Sequence, residues 1–184
     1  MPVRVTFELD DQDLRYFRSS MKQAQTAAAK LGEADVISSA EKMVQEIRKA
    51  KVPMFVSVRL AKLRCLIEMV KDDEWKLAGK ERKNVISALA YFADPHDMIA
   101  DHIPVLGFID DAIMIELLTG ELRPEIDAYN DFCRYRDEVK TGKDGGNVTK
   151  AEFLDSKRKA LHGRMRRRRM SKSQAPRGTR ITMF

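Results

Sequence analysis

Disulfide chemistry is the first thing this sequence lacks. Two cysteines in 184 residues exclude the cross-linked scaffold of a small secreted domain. Long apolar runs are missing too: no uncharged stretch approaches the roughly 18 residues of a simple membrane span. The opening Met1-Pro2-Val3-Arg4 carries no apolar core of the kind a secretory signal needs. Together these absences give the expectation of a soluble chain in a reducing compartment, cytoplasmic or peripheral at a membrane. No glycine-rich phosphate loop occurs, because Thr141-Gly142-Lys143 lacks the preceding glycine and strand of a P-loop. Hydrophobic residues are not scarce. At 43% they suffice for a core, which excludes disorder along the full length.

Charge is present but unevenly placed. The overall net charge of +6 divides into about −5 over residues 1–139 and +11 over residues 140–184. The chain therefore reads as a mildly acidic body followed by a basic tail. Within the body, no Lys or Arg lies between Lys83 and Arg123, yet that stretch holds Asp94, Asp97, Asp101, Asp110, Asp111, Glu116 and Glu121. Acids in an apolar stretch without neighbouring bases need distant partners, a cation, helix caps or a proton.

Apolar spacing organises the rest. Val3, Val5, Phe7 and Leu9 alternate with polar residues, so a short extended segment is expected there. A lone strand seeks an edge, which makes residues 3–9 a candidate homodimer contact, with an arm lying on the helices as the alternative. Asp10 is placed to cap a helix with Asp13 at its third position. Leu14, Phe17, Met21, Ala24, Ala28 and Leu31 then step by threes and fours, and Gly32 is the expected stop. A second helix carries Val36, Ala40, Met43, Val44 and Ile47. A third opens near Pro53 and buries Phe55, Leu63, Leu66, Ile67 and Val70. A fourth starts near Lys80 with Val85, Ala88, Leu89 and Phe92. Asp94-Pro95 breaks it, and Ile103-Pro104 breaks the chain again. Further helices are expected to Leu118, with Gly120 as stop, and from Pro124 with Ile126, Tyr129, Phe132 and Cys133 inward. The expected fold is an all-α compact bundle of six to eight helices. It comprises a helical domain at 1–139 with a broken-helix hairpin at 94–111, a flexible loop at 140–148, and a segment at 149–184. In that last segment a helix opened by the Thr149…Glu152 capping box runs to about His162, followed by a basic disordered tail.

Residues 91–114, Tyr-Phe-Ala-Asp-Pro-His-Asp-Met-Ile-Ala-Asp-His-Ile-Pro-Val-Leu-Gly-Phe-Ile-Asp-Asp-Ala-Ile-Met, closely resemble the signature of the YkvA-like family, a bacterial domain of unknown function. Its pattern is Asp/Ser-Pro-x-Asp-Leu-Ile-Pro-Asp-x-Ile-Pro-x-x-Gly-x-x-Asp-Asp. The matching positions are Asp94, Pro95, Asp97, Ile99, Asp101, Ile103, Pro104, Gly107, Asp110 and Asp111. Met98 stands for the usual Leu and Ala100 for the first usual Pro; the latter change leaves the segment more helical and removes no acid. The resemblance covers roughly residues 80–120. It implies a helical domain without an assigned activity. It also implies a membrane neighbourhood, since membrane proteins occur in the family and a similar domain occurs in a membrane-bound ubiquitin ligase. The charges at Asp97, Asp101, Asp110 and Asp111 argue against a simple span.

The acids have two readings. In the first they lock the hairpin: Asp94 caps, Pro95 takes the first helical position, Asp97 closes the cap, Asp101 supports the turn at Pro104, and Gly107 allows a close approach. Asp110 and Asp111 then favour the positive end of the next helix and pair with Arg59, Lys62 or Arg64. In the second, Asp97, Asp101, Asp110 and Asp111 converge on a divalent cation, Mg²⁺, Mn²⁺ or Ca²⁺, which extends to a metal-dependent hydrolase. His96-Asp97 invites comparison with His-Asp phosphohydrolases, but no histidine precedes His96, so their upstream ligands are missing. No catalytic residue is assigned.

Cys65 and Cys133 fall at apolar helical phases and are expected to be buried free thiols. Trp75, beside Asp72-Asp73-Glu74, is expected at the rim of the core. Lys157, Arg158, Lys159, Arg164, Arg166, Arg167, Arg168 and Arg169 form a dense cationic run. Its candidate partners are an anionic membrane surface, nucleic acid, or an acidic protein surface, this chain's own body included. No aromatics interleave the run, so sequence-specific base readout is not expected. The leading expectation is a non-catalytic interaction or membrane-associated module. The alternatives are a cation-binding protein or hydrolase, and a nonspecific nucleic-acid binder.

Overall fold

A computed structural model describes residues 10–28, 30–49, 52–93, 109–141 and 150–173. Seven helices follow in order: α1 (Asp11–Ala28), α2 (Glu33–Lys49), α3 (Met54–Lys71), α4 (Gly79–Leu89), α5 (Ile109–Glu121), α6 (Arg123–Lys140) and α7 (Lys150–Ser173). A short 3-10 turn, Ala90–Ala93, extends α4. The architecture is all-α, and no strand occurs among the described residues. The extended segment expected at 3–9, residues 142–148 of the loop expected at 140–148, and Asp94, Pro95, Asp97, Asp101, Pro104 and Gly107 of the hairpin lie outside the described residues; Lys140 of that loop closes α6.

Local chemistry sets the helix ends. The Asp10 carboxylate accepts from the amides of Gln12 at 2.6 Å and Asp13 at 2.9 Å, while Asp13 accepts from the Asp10 amide at 3.1 Å. This is a reciprocal capping box with Asp in place of Glu. The two accepted amides hold the Asp10 carboxyl below its usual range. α2 carries Glu33 and Asp35 in its first turn and Arg48 and Lys49 in its last, complementing its dipole at both ends. The last turn of α3 is closed from another helix, as Arg82 of α4 donates to the Val70 carbonyl at 2.8 Å. Lys76 and Gly79 adopt left-handed backbone angles, folding the connection 72–78 back over the core.

The core is one continuous cluster. Val36, Ala40, Val44 and Ile47 of α2 and Leu60, Leu63, Leu66, Ile67 and Val70 of α3 meet Val85, Ala88 and Leu89 of α4. α5 is apolar nearly all round, with Ala112, Ile113, Met114, Ile115 and Leu118 buried, as befits a helix with neighbours on several sides. It lies against α3 and α6; α6 in turn packs on α7, and the 3-10 turn packs on α1 and α2. No described helix is long and apolar enough to cross a membrane.

Four expectations are corrected. Leu31 lies past the end of α1 and is 45% exposed, so it does not continue that helix's apolar stripe. Gly120 is no stop: α5 runs through it to Glu121, and α6 begins after the single residue Leu122. Trp75 is no rim residue. Its side chain is fully buried among Tyr129, Phe132 and His162, with ring centroids 4.3–5.7 Å away. Finally, the basic run is helical. α7 continues past His162 to Ser173, because Arg, Met and Lys are good helix formers and Met165, buried on α6, extends the apolar seam of Leu154 and Leu161.

Candidate polyanion-binding face

α7 has two sides. Leu161 and Met165 are buried, with Leu154 and His162 half-buried beside them. Opposite that seam lie Lys159, Arg166, Arg167 and Met170, all exposed. They follow the three- and four-residue spacing of one helix face.

Most of the cations also hold a carboxylate. Arg158 and Lys159 pair with Asp155, one turn before them, and Arg158 donates to the Glu74 carbonyl at 3.2 Å. Arg164 pairs with Asp131 and Arg169 with Glu125. Arg166 reaches Glu81 of α4 at 3.1 Å, and Arg168 reaches Asp127 of α6 at 3.1 Å. Lys157 lies over the Tyr135 ring, 4.6 Å from its centroid, a cation–π contact. Among the described residues Arg167 has no ion-pair partner. Arg164, Arg166, Arg168 and Arg169 are thus paired with acids of α4 and α6.

These pairs differ in burial. The Arg168 and Asp127 side chains are both exposed, so that pair is worth about 0–1 kcal/mol, whereas Arg166 is exposed but its partner Glu81 is buried. The Arg164 bond holds the Asp131 carboxyl below its usual range, against a smaller opposing effect of burial. Glu125 is another matter: it is fully buried. Burial pushes its carboxyl up, Arg169 opposes the shift, and the nearby Glu81 adds to it. The groove between α6 and α7, about 260 Å³, is lined by Asp131, Glu138, Arg134, Lys157 and Arg164 among others. It carries both signs, whereas the outward ridge presents exposed Arg166, Arg167 and Met170.

A second polar cluster joins α3, α6 and the connection between α3 and α4. Asp72 Oδ1 accepts from the amides of Glu74 and Trp75, and its Oδ2 accepts from Tyr129 Oη at 3.0 Å and Arg136 Nη1 at 2.6 Å. Burial alone would raise this carboxyl; the Trp75 amide, Arg136 and Tyr129 together bring it below its usual range. Arg136 also reaches Glu74 at 2.9 Å and lies over the Phe132 ring. No expectation singled out Asp72 or Arg136. The local signal was there, an Asp at a helix end with free amides two and three residues on, but Tyr129 and Arg136 are 57 and 64 residues away. His162, edge-on to Trp75, is held below its usual range by burial, reinforced by Arg166 and Arg158.

Of the motif acids, Asp110 and Asp111 fall in the first turn of α5, where the dipole favours them, and Asp111 is buried. Of the three bases named as partners for Asp110 and Asp111, Arg59 and Lys62 pair with a different acid of α5, Glu116, at 3.3 and 2.8 Å. Arg64 pairs with Glu68 on its own helix. Among the described residues no group of three or more His, Cys, Asp or Glu is placed to hold a metal ion; Asp97 and Asp101 lie outside that set. Both cysteines are free and half-buried, less enclosed than expected. Burial pushes the Cys65 thiol up to about 12, and the Cys133 thiol is raised by the same cause.

Comparison with known proteins bears on the same segment. No curated protein and no solved structure matches the chain. Residues 84–117, which cover the second half of α4, the aspartate-proline segment and most of α5, match a domain family described as "Protein of unknown function (DUF1232)".

Proposed function

We propose that this chain is a non-catalytic helical module that docks reversibly on an anionic lipid surface through the outward face of α7. One observation carries this reading: Lys159, Arg166, Arg167 and Met170 share an exposed helix face, while Arg168 lies on the flank nearer α6 with its side chain more than half exposed. A basic face with an apolar tip suits lipid phosphates and shallow insertion. The absence of aromatics from the cationic run favours lipid over single-stranded nucleic acid, where stacking supplies much of the affinity. The perturbed groups Asp72, Glu125 and His162 are each accounted for by packing and charge within the bundle.

The magnitude follows. At about 1 kcal/mol per basic residue near the surface, Lys159, Arg166, Arg167 and Arg168 contribute about 4 kcal/mol, a dissociation constant near 1 mM. Exposed pairs such as Arg168–Asp127 give way to lipid phosphate at little cost. Binding is therefore weak, salt-sensitive and dependent on anionic lipid. The test is co-sedimentation with vesicles of phosphatidylcholine and phosphatidylglycerol in equal parts, against pure phosphatidylcholine. Wild type binds the anionic vesicles at low salt and releases at about 0.5 M, where screening is short-ranged. The variant K159Q/R166Q/R167Q/R168Q loses the binding. A quadruple variant that sediments like wild type would falsify the reading.

A further inference from the structure

The arginines of α7 are not equally available. Arg166 and Arg168 hold partly exposed pairs. Arg169 instead points inward to Glu125, which is fully buried on α6. That pair is only half built. Arg169 Nη1 meets Glu125 Oε1, whereas Oε2 is buried without a hydrogen-bond partner. The second carboxylate near by, Glu81, is also buried and holds Arg166. Two acids of the body thus face two arginines of the cationic helix, and the deeper acid has a lone pair unmatched. A buried carboxylate keeps its counter-ion because losing it would leave the charge unpaired, so Arg169 cannot leave while Glu125 is charged.

We infer that Glu125 is an internal competitor for the anion-binding helix: it withholds Arg169 from external phosphates, and removing its charge releases that arginine to the lipid-binding ridge. This rests on the reading of α7 as a lipid-docking face and adds its regulation. Glutamine at position 125 keeps the shape, its amide oxygen still meets Arg169, and its amide hydrogens fill the place of the unmatched oxygen. The buried charge that demands a cation is gone.

The experiment is a double-mutant comparison with the same equal-part phosphatidylcholine–phosphatidylglycerol vesicles. Glu125→Gln is expected to bind about fivefold more tightly, the equivalent of one additional basic residue at about 1 kcal/mol. Arg169→Gln alone brings no gain in binding, because that arginine is already withheld, and lowers the melting temperature because Glu125 is left buried and unpaired. In the Glu125→Gln background, Arg169→Gln cancels the fivefold gain. A merely structural role for the pair predicts no such dependence on background. Circular dichroism melting confirms that each variant is folded; should Glu125→Gln fail to fold, Glu125→Met, which fills the buried site without a charge, tests the same competition through Arg169. Wild type binding and Glu125→Gln binding equally would overturn the latch and leave the docking face intact. Neither protein binding, even at low salt, would overturn both. A gain seen with duplex RNA but not with vesicles would keep the latch and replace lipid as its ligand.

Discussion

Asp72 and His162 both meet Trp75, one through the indole's backbone amide and the other edge-on to its ring. Their titrations oppose folding in different ranges. The Asp72 carboxyl is lowered, so its contribution is complete above the usual carboxylate range and is lost only in strong acid. His162 is also lowered, from 6.5, but for a base this means the unfolded chain takes the proton first. Stability is therefore lost as pH falls through about 6.5 and below. Glu125, raised by burial, acts oppositely, gaining stability as pH falls toward the ordinary carboxylate value. Comparing wild type with His162→Gln cancels that contribution. In urea unfolding followed from about pH 7.5 to 5.5, wild type should lose stability relative to the variant. A gap that does not change with pH would remove His162 from the account. Asp111 poses a different question. If the motif acids lock the hairpin, Asp111→Asn lowers the melting temperature by the same margin in Mg²⁺, Mn²⁺, Ca²⁺ or chelator. A cation that stabilises wild type and not the variant would assign the aspartates to a metal site by mass action.

At the scale of elements, α2 and α3 were legible because apolar residues recur every three or four positions, and a stripe so spaced has only one way to be buried. α1 was legible at its start, where Asp10 and Asp13 spell a cap, and less so at its end, since Leu31 continues the spacing but not the helix. α7 was misread because a run of arginines looks like solvated tail; what extends the helix is Met165, a single apolar residue that finds α6. Trp75 was misread for a related reason. Three acids precede it, yet Asp72 turns inward to Tyr129 and Arg136, so the polar context belongs to the core. The ion pairs that α7 makes with other helices could not be read at all. Their partners lie 33 to 85 residues back, and spacing within one helix says nothing about charges on another. The motif at 94–111 had the opposite character: its residues were the most specific in the chain, and those described, Asp110 and Asp111, take the first turn of α5 that their position implied.

For the whole molecule, an acidic body and a basic C-terminal segment fold onto each other, and the attraction between them is unequal along α7. Near Leu161 and Met165 the helix is held by apolar burial, worth roughly 1.5–3 kcal/mol per large side chain and indifferent to salt. Beyond Met165 it is held by Arg166, Arg168 and Arg169, whose guanidinium groups stay partly open to solvent although Glu81 and Glu125 are buried. Raising ionic strength from about 0.1 M to 1 M shortens the screening length from roughly 10 Å to 3 Å, which weakens the second set and not the first. Hydrogen exchange separates them, since local opening follows the weakest cooperative unit. Amides from Arg166 to Ser173 should exchange faster in high salt, while those of α3 and α5 should not respond. Uniform acceleration across the bundle would mean that salt acts on global stability. An α7 end insensitive to salt would mean that its arginines are not held by these carboxylates, and would remove the structural basis for their competition with an external anion.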